Sequence, residues 1–161
     1  RDTLRRLTLA LGYGEEDYLR WCAGSFMVSA DNAHAQHPNH PELADGLNTP
    51  VLNGGVTVKF NANQRYTTDA VSAAAFRQLC REVGARVQTY ANRSDLPGGS
   101  TLGSISNTRV AVPTVDIGLP QFAMHSAYET MGAADLDELV RVMTAFFGRT
   151  PRWNADAIQL V

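Results

Sequence analysis

A carboxylate followed closely by three imidazoles is a composition suited to metal binding. It occurs at Asp31-Asn32-Ala33-His34-Ala35-Gln36-His37-Pro38-Asn39-His40, which offers the oxygen and nitrogen donors that zinc takes. A solvated loop whose histidines cap turns has the same composition, so the local pattern leaves both readings open. Asp31 is the sharper candidate, because a buried carboxylate at a strand end needs a partner. His125, in Ala123-Met124-His125-Ser126-Ala127-Tyr128-Glu129, is the second. It is either a hydrogen-bonded core histidine or an imidazole at another loop edge of the same sheet, converging on Asp31. A third stretch, Ser94-Asp95-Leu96-Pro97-Gly98-Gly99-Ser100-Thr101, sets glycines with Ser and Thr before a helix. Backbone N–H groups there face an anion or form a structural turn with a cap. Asp95 is a cap or a carboxylate facing the site. Lys59, with Arg65 and Tyr66 beyond it, sits on the polar face of a strand. Such a lysine is ordinarily a solvated surface charge, but in a pocket it selects an acidic side chain.

These residues need elements to hold them, and the sequence supplies alternating helices and strands. Residues 2–11 place Leu4, Leu7, Leu9 and Leu11 among Arg5, Arg6 and Thr8, an amphipathic helix closed by Gly12. Residues 15–23 predict a second helix, with Glu15, Glu16 and Asp17 favouring the dipole. Phe26 to Ala30 is an apolar run of the buried-strand kind, and Asp31 stands at its carboxyl end, where open α/β sheets place ligands. Residues 32–54, with three His, four Asn and three Pro, predict a long loop. Val56 to Phe60 alternates as a strand with Lys59 on its polar face. Residues 68–83 predict a helix with Thr68 or Asp69 as N-cap and Gly84 as stop. Val87 to Ala91 predicts a strand, residues 100–110 a helix opening at Ser100, and Val112 to Ile117 a strand interrupted at Pro113. In residues 134–147, Leu136, Leu139, Val140, Met143, Phe146 and Phe147 line one helical face. The alternation implies an α/β fold: a mostly parallel sheet with helices on both faces. There is no internal repeat and no domain boundary.

The chain has 161 residues, 14 basic and 16 acidic, for a formal net charge of −2, with 44% hydrophobic and 19% charged residues. That composition excludes disorder for most of the chain and suits one domain or part of one. The near-neutral balance argues against nucleic acid or an anionic membrane as partner. No apolar run approaches the roughly 20 residues of a spanning helix, and no secretory signal follows the basic start. Cys22 and Cys80 form no CxxC pair or disulfide framework, so a reducing, cytosolic setting is expected. The absence of GxSxG, of a Walker loop and of GxGxxG after a strand argues against a serine hydrolase or a nucleotide site. The chain opens on Arg1 rather than Met, within a helical pattern, so a piece of a longer polypeptide is expected.

Four stretches, in order, carry a resemblance: SADNAHAQHPNHPE, LNGGVTVKFNANQRYTTDA, NRSDLPGGSTLG and TVDIGLPQFAMHSAYE. Together they are similar to the aspartyl aminopeptidase family, a branch of the two-zinc exopeptidases. The resemblance implies a three-layer α/β/α sandwich with a mostly parallel, mixed central sheet, of which this chain is the C-terminal part. It implies two zinc ions held by a His, a bridging Asp, a Glu, a second Asp and a second His, with a separate Glu as general base. The second Asp maps onto Asp31 and the second His onto His125. His34, Lys59 and Tyr66 match substrate-contacting positions, the lysine being associated with acidic N-terminal residues. Asp95, Gly99 and Ser100 lie on a motif of supporting role.

The remaining ligands and the base are expected upstream, so no catalytic group is expected here and the chain alone is expected to be inactive. An inserted oligomerisation domain is also expected in the missing part. By resemblance the intact protein is a cytoplasmic homo-oligomer, a dodecamer, acting on peptides with a free N-terminus. Cobalt or manganese also accept Asp and His donors. After His125 the chain reads Ser-Ala-Tyr-Glu where many relatives have Ser-Ile-Arg-Glu, which keeps the ligand and bears on substrate preference. The alternatives are an aminopeptidase preferring neutral residues, another co-catalytic zinc hydrolase such as an amidase or deacetylase, and a non-catalytic scaffold.

Overall fold

A computed structural model describes residues 1–154 and 157–161. Helices α1 (Asp2–Ala10) and α2 (Glu15–Gly24) come first, then strands β1 (Met27–Ala30) and β2 (Ala33–His34) and a 3-10 turn at Pro41–Leu43. Next come β3 (Val56–Phe60), α3 (Ala70–Glu82), β4 (Val87–Ala91), α4 (Leu102–Asn107) and β5 (Thr114–Gly118). The chain closes with β6 (Pro120–Phe122), β7 (Thr130–Met131), α5 (Ala133–Phe147), β8 (Pro151–Asn154) and β9 (Ala157–Leu160). Among the described residues no helix is long and apolar enough to cross a membrane.

The central sheet has four strands in the order β1-β5-β3-β4. β1 with β5 and β3 with β4 are parallel; β3 with β5 is antiparallel. The pleat divides its residues between two faces. Val56, Val58, Val115 and Ile117 point to one face and meet Phe76 and Leu79 of α3 and Val142 of α5. Each of these buried side chains contributes about 1.5–3 kcal/mol. The other face carries Lys59 and Asp116 and is covered by α4, which packs on β1 and β5. Helices therefore lie on both faces of a mixed sheet, the three-layer arrangement.

Helix α3 has the expected cap at Asp69, whose carboxylate accepts from Ser72 N at 2.7 Å while Ser72 Oγ accepts from Asp69 N at 3.0 Å. Several other boundaries differ from expectation. β5 starts only at Thr114, because Pro113 lacks an N–H for the ladder. Helix α4 is short and begins after Thr101, not Ser100. The expected loop 32–54 contains β2, and β6 to β9 were not foreseen; their runs are too short for a period to show. Helix α5 departs most. Leu136, Val140 and Phe147 are exposed, and the helix buries Asp135 and Glu138 beside Val142.

These acidic residues hold the starting ends of two strands. Asp135 accepts from Asn53 N and Gly55 N, each at 2.7 Å, just before β3. Glu138 accepts from Arg86 N and Arg86 Nε, each at 2.8 Å, just before β4. A buried N–H that loses its acceptor costs about 1–3 kcal/mol. Asp135→Ala strands the buried Gly55 N–H and frees the half-covered Asn53 N–H, and is expected to destabilise the protein by about 1–3 kcal/mol, read as a lower midpoint in denaturant unfolding.

Candidate active site

Two parallel strand pairs in succession build the site. β1 and β5 run together as far as Ala30 and Ile117. The same two chain segments pair again as β2 and β6, with Ala33 beside Pro120 and His34 beside Gln121. Asp31 and Asn32 form the turn between β1 and β2, and this turn crosses over Gly118. A Cβ on Gly118 would overlap the carbonyl oxygen of Asp31 and lie 2.8 Å from the carbonyl carbon of Asn32. The close approach therefore requires glycine. From the side, Asn32 Nδ2 donates to Oε1 of buried Gln121 at 2.6 Å.

Beyond β6 the chain reaches His125. Ala123 and His125 have φ of 53° and 68°, a left-handed conformation that costs a residue with a Cβ about 1–3 kcal/mol and collects at functional sites. His125 N donates to Glu129 Oε1 at 2.6 Å, which closes the loop on itself. Neither Asp31 nor His125 is covered: both are exposed. Asp31 was expected to be buried. It lies instead beyond β1, an edge strand of the sheet, with its Oδ1 accepting from Asn32 N at 2.8 Å.

Of the two readings of Lys59, the solvated surface charge is excluded. It is 1% exposed, because β3 has neighbours on both sides and the Asp31–Asn32 turn covers its polar face. Its ammonium donates to the carbonyls of Asp31 and Asn32, each at 3.2 Å, and lies 5.2 Å from the centre of the Tyr66 ring. Burial lowers its pKa from the usual lysine value, and the charges of Asp31 and Asp116 oppose that shift. Tyr66 is buried, which raises its phenol pKa; its ring stands 6.2 Å from that of Tyr90. His34 stacks at 6.5 Å from Tyr90 on the other side. Partial desolvation, then the positive charges of His125 and Lys59, hold its imidazole below the ordinary value. His34, Lys59, Tyr66 and His125 thus share one neighbourhood.

Asp116 was missed by sequence reasoning. It is fully buried. Its Oδ2 accepts from Thr67 N at 2.6 Å and Thr67 Oγ1 at 2.8 Å, and its Oδ1 accepts from Thr101 Oγ1 at 2.7 Å. A Cβ on Gly103 would come within 2.6 Å of Asp116 Oδ1 and 2.7 Å of Ser29 Oγ, so α4 lies directly over the carboxylate. Asp116 thereby fixes both the residue after Tyr66 and the start of α4. The signal was a carboxylate at an alternate position of a strand whose neighbours are Val115 and Ile117.

The remaining candidates have local tasks. Asp95 is exposed and engaged by Arg93 through two contacts of 2.7 Å. Gly99 is exposed, and Ser100 Oγ pairs with Ser104 Oγ at 2.9 Å. The Thr101 hydroxyl serves Asp116 and makes no cap bond to its own helix. His37 and His40 stack at 5.7 Å, and His40 Nδ1 lies 3.1 Å from Glu42 Oε1. With His34, Tyr90, Asn92 and Arg93 they line a cavity of about 400 Å³.

A carboxylate oxygen and an imidazole nitrogen are the donor types zinc takes, and a zinc site uses three or more protein ligands. Among the described residues no group of three or more His, Cys, Asp or Glu comes together. Asp31 and His125 thus offer donor types that suit part of a zinc shell.

Comparison with known proteins gives the family of the chain. Residues 1–147 match the family described as aminopeptidase I zinc metalloprotease (M18). A probable M18 family aminopeptidase 2 from Mycobacterium leprae is 46% identical over 144 residues, 89% of this chain and 34% of that protein. A chain of the Ape4 and Nbr1 complex superposes with a TM-score of 0.87 at 36% identity, covering 91% of this chain and 28% of the other. The S. cerevisiae mApe1 dodecamer gives 0.74 at 28% identity, covering 86% and 31%. The chain spans about a third of the length of these relatives. The matched region takes in every residue of the site, and the chain belongs to the aminopeptidase I zinc metalloprotease (M18) family.

Proposed function

We propose that this chain is the C-terminal part of the catalytic domain of a zinc aminopeptidase that removes an N-terminal residue, preferably Asp or Glu, from peptides. The observation that carries the reading is the paired-strand edge that sets Asp31, His34, Lys59 and His125 together. Family membership supports the peptidase class. On this reading Asp31 and His125 hold zinc, and the other ligands and the general base lie in the upstream part, as does the inserted domain. Two ions per subunit are expected. Zinc, when bound, lowers the pKa of a water and polarises the scissile carbonyl. Asp31 supplies negative charge to balance the metal, and His125 supplies a neutral donor. His34 and Tyr66 shape the pocket. Lys59, buried under the turn, would favour an acidic substrate side chain through its charge. The relatives' dodecamer supports a homo-oligomer, and the two free cysteines support a cytoplasmic location.

The full-length protein is expected to release Asp from the N-terminus of a peptide faster than Leu from a matched one. Chelator should abolish both activities and zinc restore them. Equal rates would remove the acidic preference and keep the aminopeptidase. Activity only on blocked N-termini would favour an amidase or deacetylase instead.

Asp31→Ala and His125→Ala in the full-length protein are each expected to lose one equivalent of bound zinc per subunit and to lower kcat at least about a hundredfold. Metal analysis of the purified variants checks the first outcome; unchanged zinc content would remove the residue from the ligand set.

A further inference from the structure

The buried ammonium of Lys59 faces the backbone oxygens of the residue proposed to hold metal. The Asp31–Asn32 turn is held at several points. Asp31 N donates to Ile117 O at 3.0 Å and Ala33 N to Leu119 O at 2.8 Å. Gly118 lies beneath the turn, and Asn32 Nδ2 reaches Gln121. Lys59 is the charged contact in this set, and it grips two successive carbonyls, those of Asp31 and Asn32. Ion–dipole bonds of this kind are about twice as strong as neutral ones. The Asp31 side chain itself is exposed and is steadied by the Asn32 N–H. Its place therefore follows the backbone of the turn, which Lys59 grips together with these neutral contacts.

The ammonium is in turn fixed from behind. Its stem rises from β3, between β5 and β4. Lys59 is in register with Tyr90, and continuing the β3–β5 register by one step sets it opposite Asp116. Tyr66 offers its ring face at 5.2 Å, and Asp116 holds the residue after Tyr66 through two bonds.

We infer that Lys59 is a positioning residue for metal binding: by clamping the carbonyls of Asp31 and Asn32 it sets where the Asp31 carboxylate stands, in addition to any part in choosing substrates. The inference rests on the reading of Asp31 as a zinc ligand. A charge selector alone would affect turnover of acidic peptides and leave metal retention untouched. A clamp affects metal retention before any substrate is present.

The test uses the full-length protein, stripped of metal and titrated with zinc against a chromophoric chelator, as wild type and as Lys59→Met. Methionine keeps the unbranched stem, one atom shorter, and removes the donors. The metal-free variant is expected to assemble with a Tm close to that of metal-free wild type. It is expected to bind zinc at one site about tenfold more weakly or worse, the range for losing a group that orients a ligand. With excess zinc, turnover of a Leu peptide should recover while that of an Asp peptide stays low. Unchanged zinc affinity in Lys59→Met would overturn the clamp. A wild-type protein that takes up no zinc would overturn the aminopeptidase reading and the clamp with it. Should Lys59→Met fail to assemble, Gly118→Ala decides, since it pushes the same turn with Lys59 intact. Weakened zinc binding there supports a turn whose position sets the metal, and wild-type affinity overturns it.

Discussion

A charge inside a protein must be solvated by the protein itself, and an unpaired one costs several kcal/mol. Lys59 meets this demand in an uncommon way. Its ammonium takes two backbone carbonyls and a tyrosine ring as its first partners, with the carboxylates of Asp31 and Asp116 acting on it through their fields. Because the carbonyls belong to Asp31 and Asn32, solvating the charge and shaping the strand-end turn are the same event. The surrounding choices follow. Gly118 has no side chain because the turn lies on it, Tyr66 is buried because its ring completes the cage, and β3 is central because its lysine must reach the turn.

Carboxylates fix the strands that carry this cage. Asp135 and Glu138 on α5 hold the backbone N–H groups that precede β3 and β4. Asp116 holds the segment after Tyr66 and the first turn of α4. Acidic groups thus pin β3 near its start and anchor, near its end, the loop that covers it, which leaves little freedom for the position of Lys59 along the sheet. A carboxylate bound to backbone N–H groups is a strong, directional anchor. Two of these anchors, Asp135 and Glu138, explain why α5 gives much of its inner face to polar residues and leaves Leu136 and Val140 outside.

The sequence made some of this legible and hid the rest for physical reasons. The main strands and α3 could be read because their periods run long enough to be counted. The cap at Asp69 and the stop near Gly84 are local chemistry and were readable too. β2, β6 and β7 were not, since strands of two or three residues have no period and form only because a neighbour is in register. Asp31 and His125 stood out by type and spacing. Lys59 stayed open between a solvated charge and a pocket residue: a strand's polar face is solvated only if nothing crosses it, and the crossing turn lies 28 residues away in the chain. Asp116 escaped because its threonine partners are 49 and 15 residues distant.

The same edge gathers Lys59, His34 and His125 beside the Asp31 carboxylate. Burial first, and then the neighbouring His125 and Lys59, lower the pKa of the His34 imidazole. A cation entering such a place needs carboxylate oxygen close by, and Asp31 is the exposed carboxylate of the turn. An anionic substrate group is drawn by the Lys59 charge. On the proposed function, metal retention and acidic preference are therefore coupled through one residue: the Lys59 ammonium holds the turn that carries Asp31 and also supplies the positive charge of the edge. The Ser-Ala-Tyr-Glu stretch after His125 fits this economy. It keeps Glu129 on the His125 N–H and presents an exposed Tyr128, so it adds no further positive charge to the edge. Selection by charge then falls on Lys59, the residue that also shapes the turn.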